Sequence, residues 1–115
     1  MEFKVINRSD STVYIHHYYK LQIEMKKEEA WVPLRILFCP CGAPCAKPAE
    51  FVGISAGENL AWEWDMQESW CGKPGESHIP QTMKQKVNPG VYRVKVVYGL
   101  GLKDNVTYYK SFTIK

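Results

Sequence analysis

The feature that most constrains this chain is the alternation of apolar and polar side chains through every extended segment. Between residues 12 and 26, Val13, Ile15, His17, Tyr19, Leu21, Ile23 and Met25 fall on one face; Tyr14, His16, Lys20, Gln22, Glu24 and Lys26 fall on the other. Successive strand side chains point to opposite faces, so a period of two specifies sheet, and no segment sustains a helical period. A single strand of that length would reach on the order of 45 Å at about 3.3 Å per residue, too long for so small a domain. A break or bulge near His16-His17-Tyr18 is therefore expected, giving two strands.

The same reading extends along the chain. Residues 3–7 form an edge-like strand, followed by a turn of Asn, Ser and Asp side chains that bond their own backbone. Lys26-Lys27-Glu28-Glu29 is a hairpin connection, and Val32, Leu34, Ile36 and Phe38 face inward on the next strand, with Pro33 marking an edge or bulge. Short strands follow over 50–54 and 60–66, separated by the turn Ser55-Ala56-Gly57-Glu58; residues 67–80 read as loop. A weakly alternating segment over 81–87 leads into Asn88-Pro89-Gly90, which fits a type II turn with glycine at positive φ. Tyr92, Val94, Val96 and Tyr98 face the core, 99–105 is a hairpin loop, and Val106, Tyr108, Phe112 and Ile114 belong to the last strand. At 115 residues the chain is one domain, 1–115, with seven to nine short strands. The expected class is all-β, an antiparallel sandwich.

Against that background one stretch is irregular. Phe38-Cys39-Pro40-Cys41-Gly42-Ala43-Pro44-Cys45 holds three of the four cysteines among residues that break helix and strand, and Cys71 lies in the turn-like Trp70-Cys71-Gly72-Lys73-Pro74-Gly75. Cys39 and Cys41 flank one proline, and a bond between them would close a strained ring. Two pairings remain: Cys39 with Cys45 and Cys41 with Cys71, or Cys41 with Cys45 and Cys39 with Cys71. An even count in surface loops suits an oxidising compartment, and a bridge closing about thirty residues stabilises by roughly 3–4 kcal/mol. The competing chemistry is a zinc or copper site using Cys39, Cys41, Cys45 and Cys71, with His78 or His16 replacing one. Its spacing is poor, because structural zinc sites present paired C-x2-C knuckles. Thiol catalysis is disfavoured, because no C-x-x-C motif lies in a βαβ setting.

The remaining candidates have plainer alternatives. His16 and His17 are adjacent in an extended segment, so their imidazoles point apart and do not jointly bind metal. Trp62 and Trp64 share a face with Leu60 and Met66, which reads as core. The alternative reading of Trp62 and Trp64 is an aromatic platform for sugar rings, extended by Trp31, Trp70, Tyr18 and Tyr19 as the candidate binding surface. Asn7-Arg8-Ser9 and Asn105-Val106-Thr107 match the glycosylation pattern at turn positions. No Ser/His/Asp arrangement, phosphate loop or carboxylate pair stands out. Gly99-Leu100-Gly101 has no helix after it to hold a phosphate.

Taken in order, Thr12-Val13-Tyr14-Ile15, Trp31-Val32-Pro33-Leu34, the cysteine run, Trp62-Glu63-Trp64-Asp65, Val87-Asn88-Pro89-Gly90-Val91-Tyr92-Arg93-Val94 and Ser111-Phe112-Thr113-Ile114 resemble the immunoglobulin-like or fibronectin-III-like domains of small exported bacterial proteins and lipoproteins. That resemblance implies export and a binding or structural role, and it carries no catalytic residues. No cysteine lies near residue 1 to take a lipid, and the first residues read as strand rather than leader. The net charge of +3 is interspersed rather than clustered, which argues against nucleic acid, and no apolar run is long enough to span a membrane. The expectation is a non-enzymatic extracellular or periplasmic module, without cofactor, that binds a protein partner. Self-assembly by strand addition and carbohydrate binding are its alternatives.

Overall fold

A computed structural model describes residues 1–42, 45–46, 48–76, 78–101 and 105–115. The expectations that fall on Ala43, Pro44 and Lys47 in the cysteine loop, on Ser77, and on Leu102, Lys103 and Asp104 in the last hairpin lie outside the described residues. The regular structure is all β: β1 (Glu2–Ile6), β2 (Val13–His16), β3 (Gln22–Lys27), β4 (Ala30–Pro33), β5 (Phe51–Ile54), β6 (Asn59–Glu63), β7 (Gln67–Pro74), β8 (Pro80–Lys86), β9 (Gly90–Gly99) and β10 (Asn105–Ile114). Every pairing is antiparallel.

The break in the long alternating run falls where its length requires one. β2 ends at His16, His17 adopts a left-handed φ of 52°, and β3 starts at Gln22. Both halves then pair with the same long strand, β2 along its C-terminal part and β3 along its N-terminal part. Glu28, at φ 57°, turns β3 into β4, and Gly57, at φ 82°, turns the chain between β5 and β6.

Three expectations are corrected. Residues 67–80 are not a loop, since they contain β7 and the start of β8; this accounts for ten strands among the described residues where seven to nine were expected. Glycine and proline within 72–75 suggested a turn, but β7 is held by its register with β8, which tolerates an irregularity between Cys71 and Pro74. The strand containing Val32 stops at Pro33, and residues 34–38 leave the sheet. Gly90 opens β9 without a positive φ, so Asn88-Pro89-Gly90 is a crossover between sheets rather than a type II turn.

β9 is the axis of the largest sheet. The order runs β4-β3-β9-β2-β5, with β10 alongside β9; β1 and β6 form a second sheet, and β7 and β8 a third. The β1–β6 pair lies over the large sheet. Ile23, Trp64, Tyr92 and Val94 form one buried cluster with Phe3, Leu34, Ile36 and Phe112 around it. Ile15, Ile54 and Val96 form another with Val5, Leu60, Trp62 and Tyr98. Burying apolar area at roughly 25 cal/mol per Å² between these layers is the main force holding them together.

Candidate functional site

In an antiparallel pair, residues opposite one another share a face. Along β9, Tyr92, Val94 and Val96 are buried, and Tyr98 packs against the same core. Their partners on β10 are Phe112, Lys110, Tyr108 and Val106. Those four side chains therefore point to the inner face of the large sheet. Phe112 is covered by Phe3 of β1, ring centroids 5.3 Å apart. Val106 and Tyr108 are 51% and 54% exposed. They face inward by register, yet among the described residues no strand overlies them, because the second sheet stops at β1.

The uncovered region is a seam between two unpaired edges. Among the described residues β1 pairs only with β6 and β10 only with β9, so each leaves a row of backbone N–H and C=O groups on its outer side. Two adjoining grooves of about 370 and 280 Å³ follow the seam and share Lys4, Val5, Val96 and Tyr108. Their charged lining is Lys4, Arg8 and Lys110 against Glu2, whose carboxylate sits 3.5 Å from the Lys4 ammonium.

The cysteines build a different feature. Cys39 is bonded to Cys45 and Cys41 to Cys71, one of the two expected pairings. With all four sulfurs paired, none is a thiolate ligand, and among the described residues no group of three His, Cys, Asp or Glu side chains is placed to hold a metal. His78 sits in the connection between β7 and β8, its amide bonded to the Gly75 carbonyl. His16 pairs with Phe51 on β5 and keeps a buried Nε2 without a hydrogen-bond partner among the described residues, while His17 is exposed.

The Cys41–Cys71 bridge fastens residues 34–41 along β7. Ser69 N–H donates to the Arg35 carbonyl at 2.8 Å, and Leu37 N–H donates to Ser69 Oγ at 2.8 Å. Glu68 accepts from both the backbone and the side chain of Arg35. Burial pushes the Glu68 carboxyl up, but those hydrogen bonds and the Arg35 charge outweigh it and hold the group below its ordinary value. Between this fastened segment, the face of β7–β8 and the end of β6 lies a cleft of about 770 Å³, lined among others by Tyr19, Phe38, Cys39, Trp62, Gln67 and Thr82.

The expected aromatic platform is not assembled. The Arg93 guanidinium lies 4.4 Å from the Trp31 ring and 3.7 Å from Tyr109, held by Glu24 at 2.5 Å. Trp70 carries the Arg35 guanidinium at 4.0 Å. Each tryptophan thus carries a guanidinium over one ring face. Tyr18 is edge-on to Tyr19 and packs on the second core cluster; only Tyr19 reaches the cleft. Trp64 is buried as expected for core, whereas Trp62 is half-buried, lines the cleft and donates from Nε1 to the Tyr18 carbonyl at 2.6 Å. The seam itself was hidden in the sequence, because Val106 and Tyr108 alternate like covered residues. Only the absence of a strand to lie over them sets them apart.

One glycosylation site is corrected. Asn7 is buried, and its side-chain nitrogen donates to the carbonyls of Ser11 and Ile54, leaving no room for a glycan; Asn105 is exposed. The chain matches no protein-family model, no curated protein and no solved structure.

Proposed function

We propose that this chain is a non-enzymatic, exported sandwich module of the immunoglobulin-like kind, and that it binds a partner protein by accepting an extended segment along the β1/β10 seam. The observation that carries this reading is the conflict at Val106 and Tyr108, inward by register and exposed in fact. A strand laid beside β1 would cover them and pair with the backbone that β1 or β10 leaves open, the mode of recognition known as strand addition. No small molecule satisfies such a row of backbone groups.

Two further features support the immunoglobulin-like assignment. Tyr92, buried near the start of β9, donates its hydroxyl to the Asn88 carbonyl, as in the tyrosine corner of such sandwiches. Trp64 is buried against it, with ring centroids 6.2 Å apart. Two disulfides fit an oxidising environment, which supports export.

Charge selects among occupants. The seam is lined by three cations and one acid, so the favoured segment alternates apolar residues with acidic ones. A second copy of this chain brings no excess of acid, since β1 holds Glu2 and Lys4 and β10 holds only Lys110. The test is titration of the protein with a capped peptide alternating valine with glutamate and threonine, followed by amide chemical shifts. Saturable shifts along β1 and β10, lost in Tyr108→Asp, are expected. Shifts scattered over the surface, or a wild-type chain that elutes as a Tyr108-dependent oligomer, would overturn the partner reading.

A further inference from the structure

We infer that the cleft beneath the cysteine staple is a second site, separated from the seam groove by Trp62 and Met1, which border both, and that it takes a neutral saccharide. The walls are of two kinds. On one side stand Phe38, 48% exposed, and Tyr19, their ring centroids 5.1 Å apart and tilted by 59°, with Trp62 beside them. An apolar ring left that open at the mouth of a cleft costs hydration free energy and offers a surface for the C–H face of a ring. On the other side the register of β7 with β8 sets Ser69 opposite Lys84 and Cys71 opposite Thr82, which gives one polar face to the cleft.

The polar groups have the character a polyol needs. The Gln67 side-chain amide and the Thr82 hydroxyl line the cleft, and neither forms a hydrogen bond within the described protein. An amide both donates and accepts, as a hydroxyl does, so together they match the vicinal hydroxyls of a sugar. The charges lining the cleft oppose one another: Lys84 Nζ lies 3.2 Å from Asp65 Oδ2, and the Met1 ammonium lies 3.8 Å from Glu63 Oε2. With these two pairs opposed, the charged lining has no net sign to favour an anion or cation over a neutral ligand. An aromatic wall facing uncharged hydrogen-bonding groups is the arrangement expected of a small-molecule site that binds through a few placed polar contacts.

The disulfide fixes the site. Cys39 lines the cleft and Cys41 anchors the same segment to Cys71 on β7, so the wall bearing Phe38 is tied at a fixed distance from the polar face. This preorganisation explains why the staple joins these two segments in particular.

The experiment is a titration of the intact, oxidised protein with cellobiose, maltose, lactose and diacetylchitobiose, read by amide and side-chain amide shifts. At least one disaccharide is expected to give saturable shifts at Leu37, Gln67 and Thr82. Phe38→Ala, at an exposed position, should weaken that binding about tenfold or more while leaving the rest of the spectrum in place. Tyr108→Asp should leave it unchanged. No saturable shift from any of the four sugars overturns the inference. So do shifts that survive both Phe38→Ala and Gln67→Ala, and so does the valine–glutamate peptide occupying the cleft in their stead.

Discussion

Asn7 is 4% exposed and uses both ends of its amide. Nδ2 donates to Ser11 O at 2.8 Å and Ile54 O at 2.9 Å, while Oδ1 accepts from Ser9 N–H at 3.0 Å and Ser9 Oγ at 2.7 Å. Truncation removes the buried bond to the Ile54 carbonyl and the acceptor of the Ser9 N–H and hydroxyl, while the Ser11 carbonyl keeps its bond from Ser9 Oγ. Asn7→Ala should therefore cost about 2–3 kcal/mol in denaturant unfolding. Its place in a run of Asn, Ser and Asp reads as an exposed turn, and local composition holds no sign that β5 passes close enough to bond it. Tyr92 was easier to read. Its alternation with Val94 and Val96 marks the core, although the hydroxyl bond to Asn88 is a matter of tertiary geometry. Burial raises the Tyr92 phenol, with the Glu68 charge adding to it. An acid whose folded pKa lies above its unfolded one stabilises the fold fully below the unfolded value. That stability then falls as pH rises through the gap between the two. Unfolding measured above about pH 10 should therefore show a loss of stability that Tyr92→Phe reduces.

Among the elements, the hairpin of β7 and β8 depends most on links outside its own strands. It forms its own sheet and is fastened by Cys41–Cys71, the Arg35–Glu68 contacts and the bonds of Ser69. Glu68 has a depressed pKa, so its contribution is present above the ordinary carboxylate value and is lost as pH falls through the folded one. The two disulfides close loops of very different length, with sequence separations of 30 and 6. Replacing Cys41 and Cys71 by serine should cost about 3.5 kcal/mol, and replacing Cys39 and Cys45 about 2 kcal/mol, both by equilibrium unfolding. The first pair should also loosen the cleft, seen as faster amide exchange at Leu37. β2, β3 and β9 were legible from alternation because each buries one face; β10 alternates in the same way, although only Phe112 and Ile114 near its end are covered. β7 was not, because its glycine and proline satisfy every local rule for a turn and only pairing with β8 holds them extended.

At the scale of the whole molecule, the ten strands among the described residues make a six-stranded sheet covered by the β1–β6 pair, with β7 and β8 as a separate pair. The radius of gyration is 16.2 Å within extents of 54 × 36 × 23 Å, above the roughly 13 Å typical of a compact chain of this length. A two-stranded layer cannot cover a six-stranded one, and the uncovered remainder is the stripe of Val106 and Tyr108 beside β1. Because Tyr108 is already exposed, Tyr108→Asp should change stability by no more than about 0.5 kcal/mol while abolishing binding at the seam. All-β class and two disulfides followed from period and cysteine count. Which face lacked a partner did not, since a sequence pattern gives which side of a strand is apolar and not how many strands lie opposite. The most direct measurement is hydrogen exchange along β1 and β10, with and without the valine–glutamate peptide. Fast exchange at alternate β10 amides in the free protein, slowed at least about tenfold by the peptide and not slowed in Tyr108→Asp, is the predicted result. Exchange along both edges that the peptide leaves unchanged would contradict it.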